Sequence, residues 1–325
     1  MTVENGLGGL CAGVDIGGTA VRVVTWAGGR CIDALTVPTA EFAAGSEHER
    51  VRRLAGLLSG LLPDRGSIAA VGIGASGPVD VDRGVIENPY TLPAFSHFPI
   101  VAALEAELGC PVIIESDAVV AAVAEHRVGA GRRAERMAMV TLGTGIGVCL
   151  LVDGRPFRGP GGAHPEGGHI PIVSGDERCY CGIMGCWEQV GSRSALQKRL
   201  VQLLPAGTPS DLILHEAAAV AETDDCIRDA FTAYGRLVGR GLCTLQTMYM
   251  PDVTVLGGSA AAHLDLIRTG MEQELERPAD FIRPMEVRGA MLGEAGAIGA
   301  ALLAEQRLGD PRTAASSQRT DGLLP

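Results

Sequence analysis

The sequence predicts an α/β protein built from two similar halves, and two observations carry that expectation. Strand-like and helix-like segments alternate along most of the chain, and a glycine-rich hairpin between two strands occurs twice, at Gly17 and at Gly143. With 325 residues, 46% of them hydrophobic, there is enough apolar surface for two packed units rather than one small domain.

The elements follow in order. Ala12-Gly13-Val14-Asp15 forms a strand that turns through Ile16-Gly17-Gly18-Thr19 into a second strand over residues 21–26. Residues 48–62 carry apolar side chains at helical spacing, and residues 68–73 read as a buried strand. Residues 111–115 form another strand, followed by Ser116-Asp117 and an alanine-rich helix that ends near residue 128. Residues 137–142 feed Gly143-Thr144-Gly145-Ile146-Gly147, which returns into a strand over residues 148–152. A third glycine turn, Gly257-Gly258-Ser259, follows the strand residues Val255-Leu256. Residues 309–325 are rich in Ser, Thr, Arg, Gly and Pro and read as a disordered tail.

Composition excludes several function classes. A net charge of −11 argues against a nucleic-acid footprint, which needs clustered Lys and Arg. The first ten residues have no basic segment followed by an apolar run, and no apolar segment reaches membrane-spanning length. The expectation is a soluble, cytoplasmic protein with no membrane partner. In that compartment Cys11, Cys31, Cys110, Cys149, Cys226 and Cys243 are reduced thiols in apolar runs.

The remaining three cysteines form the densest chemical signal. Cys179, Cys181 and Cys186 lie downstream of His169, and three thiolates with one imidazole are the ligand set of a closed, tetrahedral structural zinc. Gly182 and Gly185 let the backbone turn back so that the thiolates reach one ion.

Each glycine loop alone is also a common hairpin turn. Together they gain meaning from Asp15 directly before the first, a threonine hydroxyl in each of the two hairpins (Thr19, Thr144), and the third turn at Gly257. Such loops expose amides and small hydroxyls to phosphate oxygens, and a nucleoside triphosphate fits three of them. Neither a Gly-x-x-x-x-Gly-Lys-[Ser/Thr] loop nor a Gly-x-Gly-x-x-Gly between strand and helix is present, which sets aside the Walker and Rossmann alternatives.

Six motifs in order carry a resemblance: Asp15-Ile16-Gly17-Gly18-Thr19; Gly74 with Gly77-Pro78-Val79-Asp80; Leu142 to Gly147; Glu166-x-Gly168-His169; the cysteine cluster; and Leu256-Gly257-Gly258. Over roughly residues 12–305 the chain resembles the ROK family (repressor, open reading frame, kinase) of sugar kinases and sugar-responsive repressors. The resemblance implies two actin-like, ribonuclease-H-like domains closing over a central cleft that holds ATP and a hexose. The domains expected are residues 1–116, rejoined by a helix near residues 295–308, and residues 117–294 with the zinc and ATP sites.

Roles carry over residue by residue. Asp117 matches the general base for the sugar's 6-hydroxyl; a helix N-cap is the structural alternative, and the helix N-terminus would hold its pKa low. Asp15 matches the residue that orients Mg²⁺, with Thr19 and the amides of Gly17 and Gly18 meeting the phosphates. Gly143, Thr144, Gly145 and Gly147 match the second phosphate loop, and Gly257 and Gly258 the floor beneath the adenosine. Glu166, His169 and Glu188 match the hexose-binding set, with Gly77, Thr91, Ser116 and Asp117 also on the sugar side. Zinc would fix the tautomer and aim of His169.

Departures from the family pattern cluster near the presumed sugar. Ser116 stands where Asn is usual, Thr91-Leu92-Pro93-Ala94-Phe95 replaces Asn-x-Pro-Gly-Trp, Pro165 and Gly167 alter the loop before His169, and Ala20 replaces a frequent Lys. The function implied is ATP-dependent phosphorylation of a hexose 6-hydroxyl. Glucose, allose, 3-amino-3-deoxyglucose and N-acylhexosamines are the candidate substrates, because Ser116 alters the contact at C3. Fourteen residues precede Asp15, too few for the winged helix of ROK repressors, so a non-catalytic sugar sensor is the lesser alternative. Polyphosphate as donor is disfavoured by the cysteine cluster. Relatives of this kind are homodimers or homotetramers.

Overall fold

The computed structural model describes residues 9–62, 67–175, 178–276 and 280–309, so the tail expected over residues 309–325 lies, apart from residue 309, outside the described residues. The chain divides into two compact units, Met1–Ala124 with Leu292–Pro325, and Glu125–Met291.

In the first unit the strands are β1 (Cys11–Ile16), β2 (Ala20–Ala27), β3 (Arg30–Pro38), β4 (Ala70–Ala75), the short ribbon β5 (Val79–Asp80) and β6 (Val85–Ile86), and β7 (Val112–Ser116). The helices are α1 (Glu47–Gly60), α2 (Ile100–Leu108), α3 (Asp117–Val128), which runs on into the second unit, and α9 (Ala295–Gly309), which comes from the chain's return. Strand order in the main sheet is β3-β2-β1-β4-β7, with β1, β4 and β7 parallel and the β1-β2-β3 meander antiparallel. α1 starts on a capping box in which the Ser46 hydroxyl accepts from the Glu49 amide and the Glu49 carboxylate accepts from the Ser46 amide.

Alternation sorts the sheet's two faces. Val14, Ile16, Val71 and Ile73 share one core with Leu54 and Leu58 of α1 and Ile100 and Leu104 of α2. The opposite face carries Gly13 and Gly72, and there α9 lies so close that a Cβ at Gly13 would meet the Ala297 carbonyl and one at Gly72 the Ala300 carbonyl. The first turns of α3 share this packing, because Val120 lies against Gly74 and Gly299. The boundary by packing therefore falls inside α3, after Ala124, rather than before it.

The second unit contains β8 (Arg136–Leu142), β9 (Ile146–Val152), β10 (Arg155–Pro156), α4 (Trp187–Gly191), α5 (Arg193–Leu200), α6 (Ile213–Val220), α7 (Asp225–Tyr249), β11 (Val253–Gly257), α8 (Leu264–Leu275) and β12 (Glu286–Gly289). Its sheet order, β10-β9-β8-β11-β12, repeats that of the first unit element for element: an antiparallel hairpin opened by a glycine turn, then parallel neighbours on the other side. The repeated glycine hairpin is thus the visible part of a repeated topology. Its core gathers Val140, Leu142, Phe231, Tyr234, Val238 and Trp187, all fully buried. Among the described residues no helix is long and apolar enough to cross a membrane. All nine cysteines are free thiols; Cys31 and Cys226 are exposed, so the expectation that they sit in apolar runs is corrected, β3 being an edge strand and Cys226 lying in the first turn of α7.

Candidate active site

In the first unit, parallel pairing brings three polar groups to the carboxyl ends of neighbouring strands, where open α/β sheets place their ligands. Register sets Asp15 beside Gly74 and Gly74 beside Glu115, so Asp15, Ser76 and Asp117 come out at one edge. Asp117 is the first residue of α3. Its Oδ1 accepts from the Ala118 amide at 2.7 Å and its Oδ2 from the Ser76 hydroxyl at 3.1 Å. The carboxylate therefore serves the helix start with one oxygen while Ser76 fixes the other. Asp15 lies 3.4 Å from Arg22 Nη1, and Arg22 Nε lies 3.5 Å from Glu294. Burial, then the negative charge of Asp117, push the Asp15 carboxyl up to about 6, although Arg22 opposes the shift. Gly296 of α9 makes room for this carboxylate, since a Cβ there would stand 2.6 Å from Asp15 Cγ.

The glycine loops spend some amides on themselves. Gly17 donates to the Ala20 carbonyl and Gly143 to the Gly145 carbonyl, both at 3.0 Å, and Gly147 donates to Thr141 Oγ1 at 3.2 Å. Gly17 is thus engaged within its own hairpin, and its carbonyl accepts from the Thr39 hydroxyl at 2.6 Å. The amides of Gly18, Thr19, Thr144 and Gly145 have no backbone acceptor among the described residues. The second loop is braced by the start of α5: the Arg193 amide donates to the Gly143 carbonyl, the Arg193 guanidinium to Thr144 Oγ1, and the Ser194 hydroxyl to the Thr144 carbonyl. Gly258, at φ +84°, sits against the backbone of Leu142, so the turns after β8 and β11 are neighbours.

The cysteine cluster forms as a compact group. Ligand atoms of His169, Cys179, Cys181 and Cys186 all lie within 4.8 Å of one another. Gly182 and Gly185 have φ of +89° and +64°, which is how the loop folds back. Cys186 precedes α4, and burial pushes its thiol up to about 12 against the pull of the Gln189 and Glu188 amides. A buried thiol of this kind reaches its thiolate form beside a cation, and the donor set fits zinc.

From this cluster a polar chain runs to the second glycine loop. His169 Nδ1 stands 3.2 Å from Cys186 Sγ and Nε2 stands 3.3 Å from the Tyr180 hydroxyl. That hydroxyl donates to Glu188 Oε1 at 2.7 Å, and Glu188 Oε2 accepts from the Ile146 amide at 2.9 Å. Burial, then the hydrogen bond to Glu188, push the Tyr180 phenol up, so it stays a donor. Glu166 is exposed and joins His169 through its backbone carbonyl, which accepts from the His169 amide at 3.0 Å.

Of the other residues on the sugar side, Thr91 and Gly77 are tied together by Asn88. Its Nδ2 donates to Thr91 Oγ1 at 2.6 Å and to the Gly77 carbonyl at 2.7 Å. Ser116 closes β7, half-buried, one residue before Asp117. Ser76, Arg22, Asn88 and Tyr180 are the members that sequence reasoning did not single out. The Asn88-Pro89 pair, a turn signal, and Tyr180 within the cysteine cluster were the available hints.

Two sheets of one topology, each with a glycine hairpin and its acidic or hydroxyl companions, are the arrangement of the actin-like, ribonuclease-H-like α/β class. Within it, the chain belongs to the ROK family, whose model, described as "ROK family", matches residues 11–307. It is 32% identical to a glucokinase of Streptomyces coelicolor over 320 residues, 92% of this chain and 98% of that one. Among solved structures it is similar to a ROK hexokinase from Thermus thermophilus (TM-score 0.76, 31% identity, 93% of this chain and 99% of the other). It is equally similar to a ROK family glucokinase from Streptomyces griseus in complex with glucose and AMPPNP (TM-score 0.76, 31% identity, 92% of this chain and 100% of the other).

Proposed function

We propose that the chain is an ATP-dependent sugar kinase acting on the 6-hydroxyl of a hexose, with glucose or a hexose altered at C3 as substrate. The observation that carries this reading is the carboxylate of Asp117, held at the carboxyl end of a parallel strand by the Ala118 amide and the Ser76 hydroxyl. A base so fixed accepts the 6-hydroxyl proton in one direction only. Phosphoryl transfer passes through a loose transition state, so aim matters more than basicity. Family membership and the likeness to a glucokinase that binds glucose and AMPPNP support both substrates.

The other residues position. When bound, MgATP supplies the phosphoryl group and the cation that offsets its charge. Asp15 would orient the cation's water shell; burial and the charge of Asp117 hold its pKa up. In their respective units Thr19 with the Gly18 amide, and Thr144 with the Gly145 amide, would meet phosphate oxygens, while Gly257 and Gly258 would leave room for the adenosine. His169, Cys179, Cys181 and Cys186 would hold a structural zinc, which supplies a cross-link and no chemistry of its own. With Nδ1 turned to the metal side, His169 keeps its proton on Nε2 for a sugar hydroxyl, and Glu166 and Glu188 accept from others.

The test is ADP release with glucose, allose, 3-amino-3-deoxyglucose and N-acetylglucosamine, in wild type and Ser116→Asn. A kinase of this description turns over at least one, and restoring Asn shifts the ratio of kcat/KM toward glucose by about 1 to 2 kcal/mol, the scale of one net hydrogen bond. Sugar binding without ADP release would identify a non-catalytic sensor instead. An unchanged ratio would move specificity from Ser116 to Thr91, Ala94 or the loop at Pro165-Glu166-Gly167.

A further inference from the structure

Tyr180 lies between two of the cysteines, and its side chain is exposed, with 82% of its surface open. Its hydroxyl is nevertheless fully engaged. It donates to Glu188 Oε1 at 2.7 Å and lies 3.3 Å from His169 Nε2. Because His169 Nδ1 faces Cys186 Sγ at 3.2 Å, the ring proton belongs on Nε2 once the thiolate side is metallated, and Nε2–H then donates to the phenol oxygen. The phenol accepts from a histidine and donates to a carboxylate. A pyranose hydroxyl in that place would accept and donate in the same sense.

Little else holds the phenol there. The ring meets His169 edge-on, with centroids 5.3 Å apart and planes at 88°, and most of its remaining surface is open. The carboxylate it occupies is fixed from behind by the Ile146 amide. An exposed side chain thus rests by its polar tip on two groups built into the loop and the cysteine cluster.

We infer that Tyr180 is an internal stand-in for one sugar hydroxyl: its phenol and a sugar hydroxyl compete for the same seat between His169 and Glu188. This rests on the sugar-kinase reading above, in which His169 and Glu188 are hexose contacts. Two consequences follow from the exchange. The two polar groups never face each other unpaired, and any ligand must first open the phenol's bonds, so its apparent affinity is lowered by the fraction of time the phenol is seated. A ligand hydroxyl that both accepts and donates recovers both bonds. A deoxy or fluoro analogue at that position recovers fewer and competes less well with the phenol.

The experiment compares wild type with Tyr180→Phe, which keeps the ring and removes the hydroxyl, and with Tyr180→Ala, which removes both. Binding of glucose and of allose is followed by calorimetry and by the near-ultraviolet tyrosine difference spectrum, with metal analysis to confirm that each variant keeps its zinc. Both variants should bind the preferred sugar roughly three- to tenfold more tightly than wild type, since one net hydrogen bond no longer has to be opened. The tyrosine difference signal on binding should be present in wild type and lost in Tyr180→Phe. Equal affinities, or weaker binding by the variants, would overturn the stand-in and leave the kinase reading in place. Failure of every one of the four sugars named above to bind any of the three proteins would overturn both.

Discussion

Replacing Ser76 by Ala removes one hydrogen bond, the 3.1 Å contact to Asp117 Oδ2, and leaves the 2.7 Å contact from the Ala118 amide to the other oxygen intact. A hydrogen bond to a charged group contributes about 1.5–3 kcal/mol, and because Ser76 is half-buried, water can partly replace its hydroxyl. The low end, about 1.5 kcal/mol, corresponds to slightly more than tenfold in rate. The bond governs the aim of the base rather than the hold on the sugar, so the loss should fall on kcat with KM for the sugar nearly unchanged. Ser76→Thr keeps a hydroxyl and should recover most of the rate. Steady-state ADP release over a range of sugar concentrations measures both parameters. A wild-type kcat in Ser76→Ala, or an effect confined to KM, would refute the argument that Ser76 aims Asp117.

Three further outcomes are expected. The purified protein should carry about one zinc per chain on His169, Cys179, Cys181 and Cys186, a site of a kind that contributes on the order of 10 kcal/mol. Chelation should then abolish sugar binding and activity together, whereas active protein without zinc on metal analysis would contradict the assignment. For Asp15 the folded-state pKa is raised from 3.8 to about 6, so the native chain binds the extra proton between those values and its stability falls as pH rises through about 6. Asp15→Asn should therefore be more stable than wild type at pH 7 by up to about 3 kcal/mol and gain nothing near pH 3, as read by denaturant melts at both. The same titration should make kcat/KM for MgATP in wild type fall as pH drops through about 6.

Much of this architecture was legible because its signals are local. A buried strand that ends in a glycine turn declares itself through a short apolar run and the turn residue, which makes β1, β8 and β11 legible with their adjoining loops, while β4 shows itself as a buried run alone. β3 carried no such signal: it is an edge strand, exposed almost throughout, so no alternation marks it. α7, the longest helix, has Gly235, Gly239 and Gly241 in its interior, residues that weaken a helical pattern but that here let α8 and Trp187 approach its backbone. The cysteines and glycines of the candidate site could be found from spacing. Ser76 and Arg22 could not, because a lone Ser after a strand and a lone Arg within one are unremarkable until strand pairing sets them beside Asp117 and Asp15. The amide of Gly17 is a subtler case: the sequence indicates a glycine turn, but only the fold decides whether its N–H points to a ligand or closes the hairpin.

The central claim is that Asp117 is the base of a sugar phosphotransfer, and the direct measurement is turnover by Asp117→Asn with sugar binding measured on the same sample. Asn keeps the size of the side chain and an oxygen to accept from the Ala118 amide, so the helix start and the sugar site should survive. Turnover should drop by roughly two orders of magnitude or more while the sugar Kd stays close to that of wild type. Wild-type turnover in this variant would mean that Asp117 serves only as the cap of α3, and the account of catalysis would fail with it.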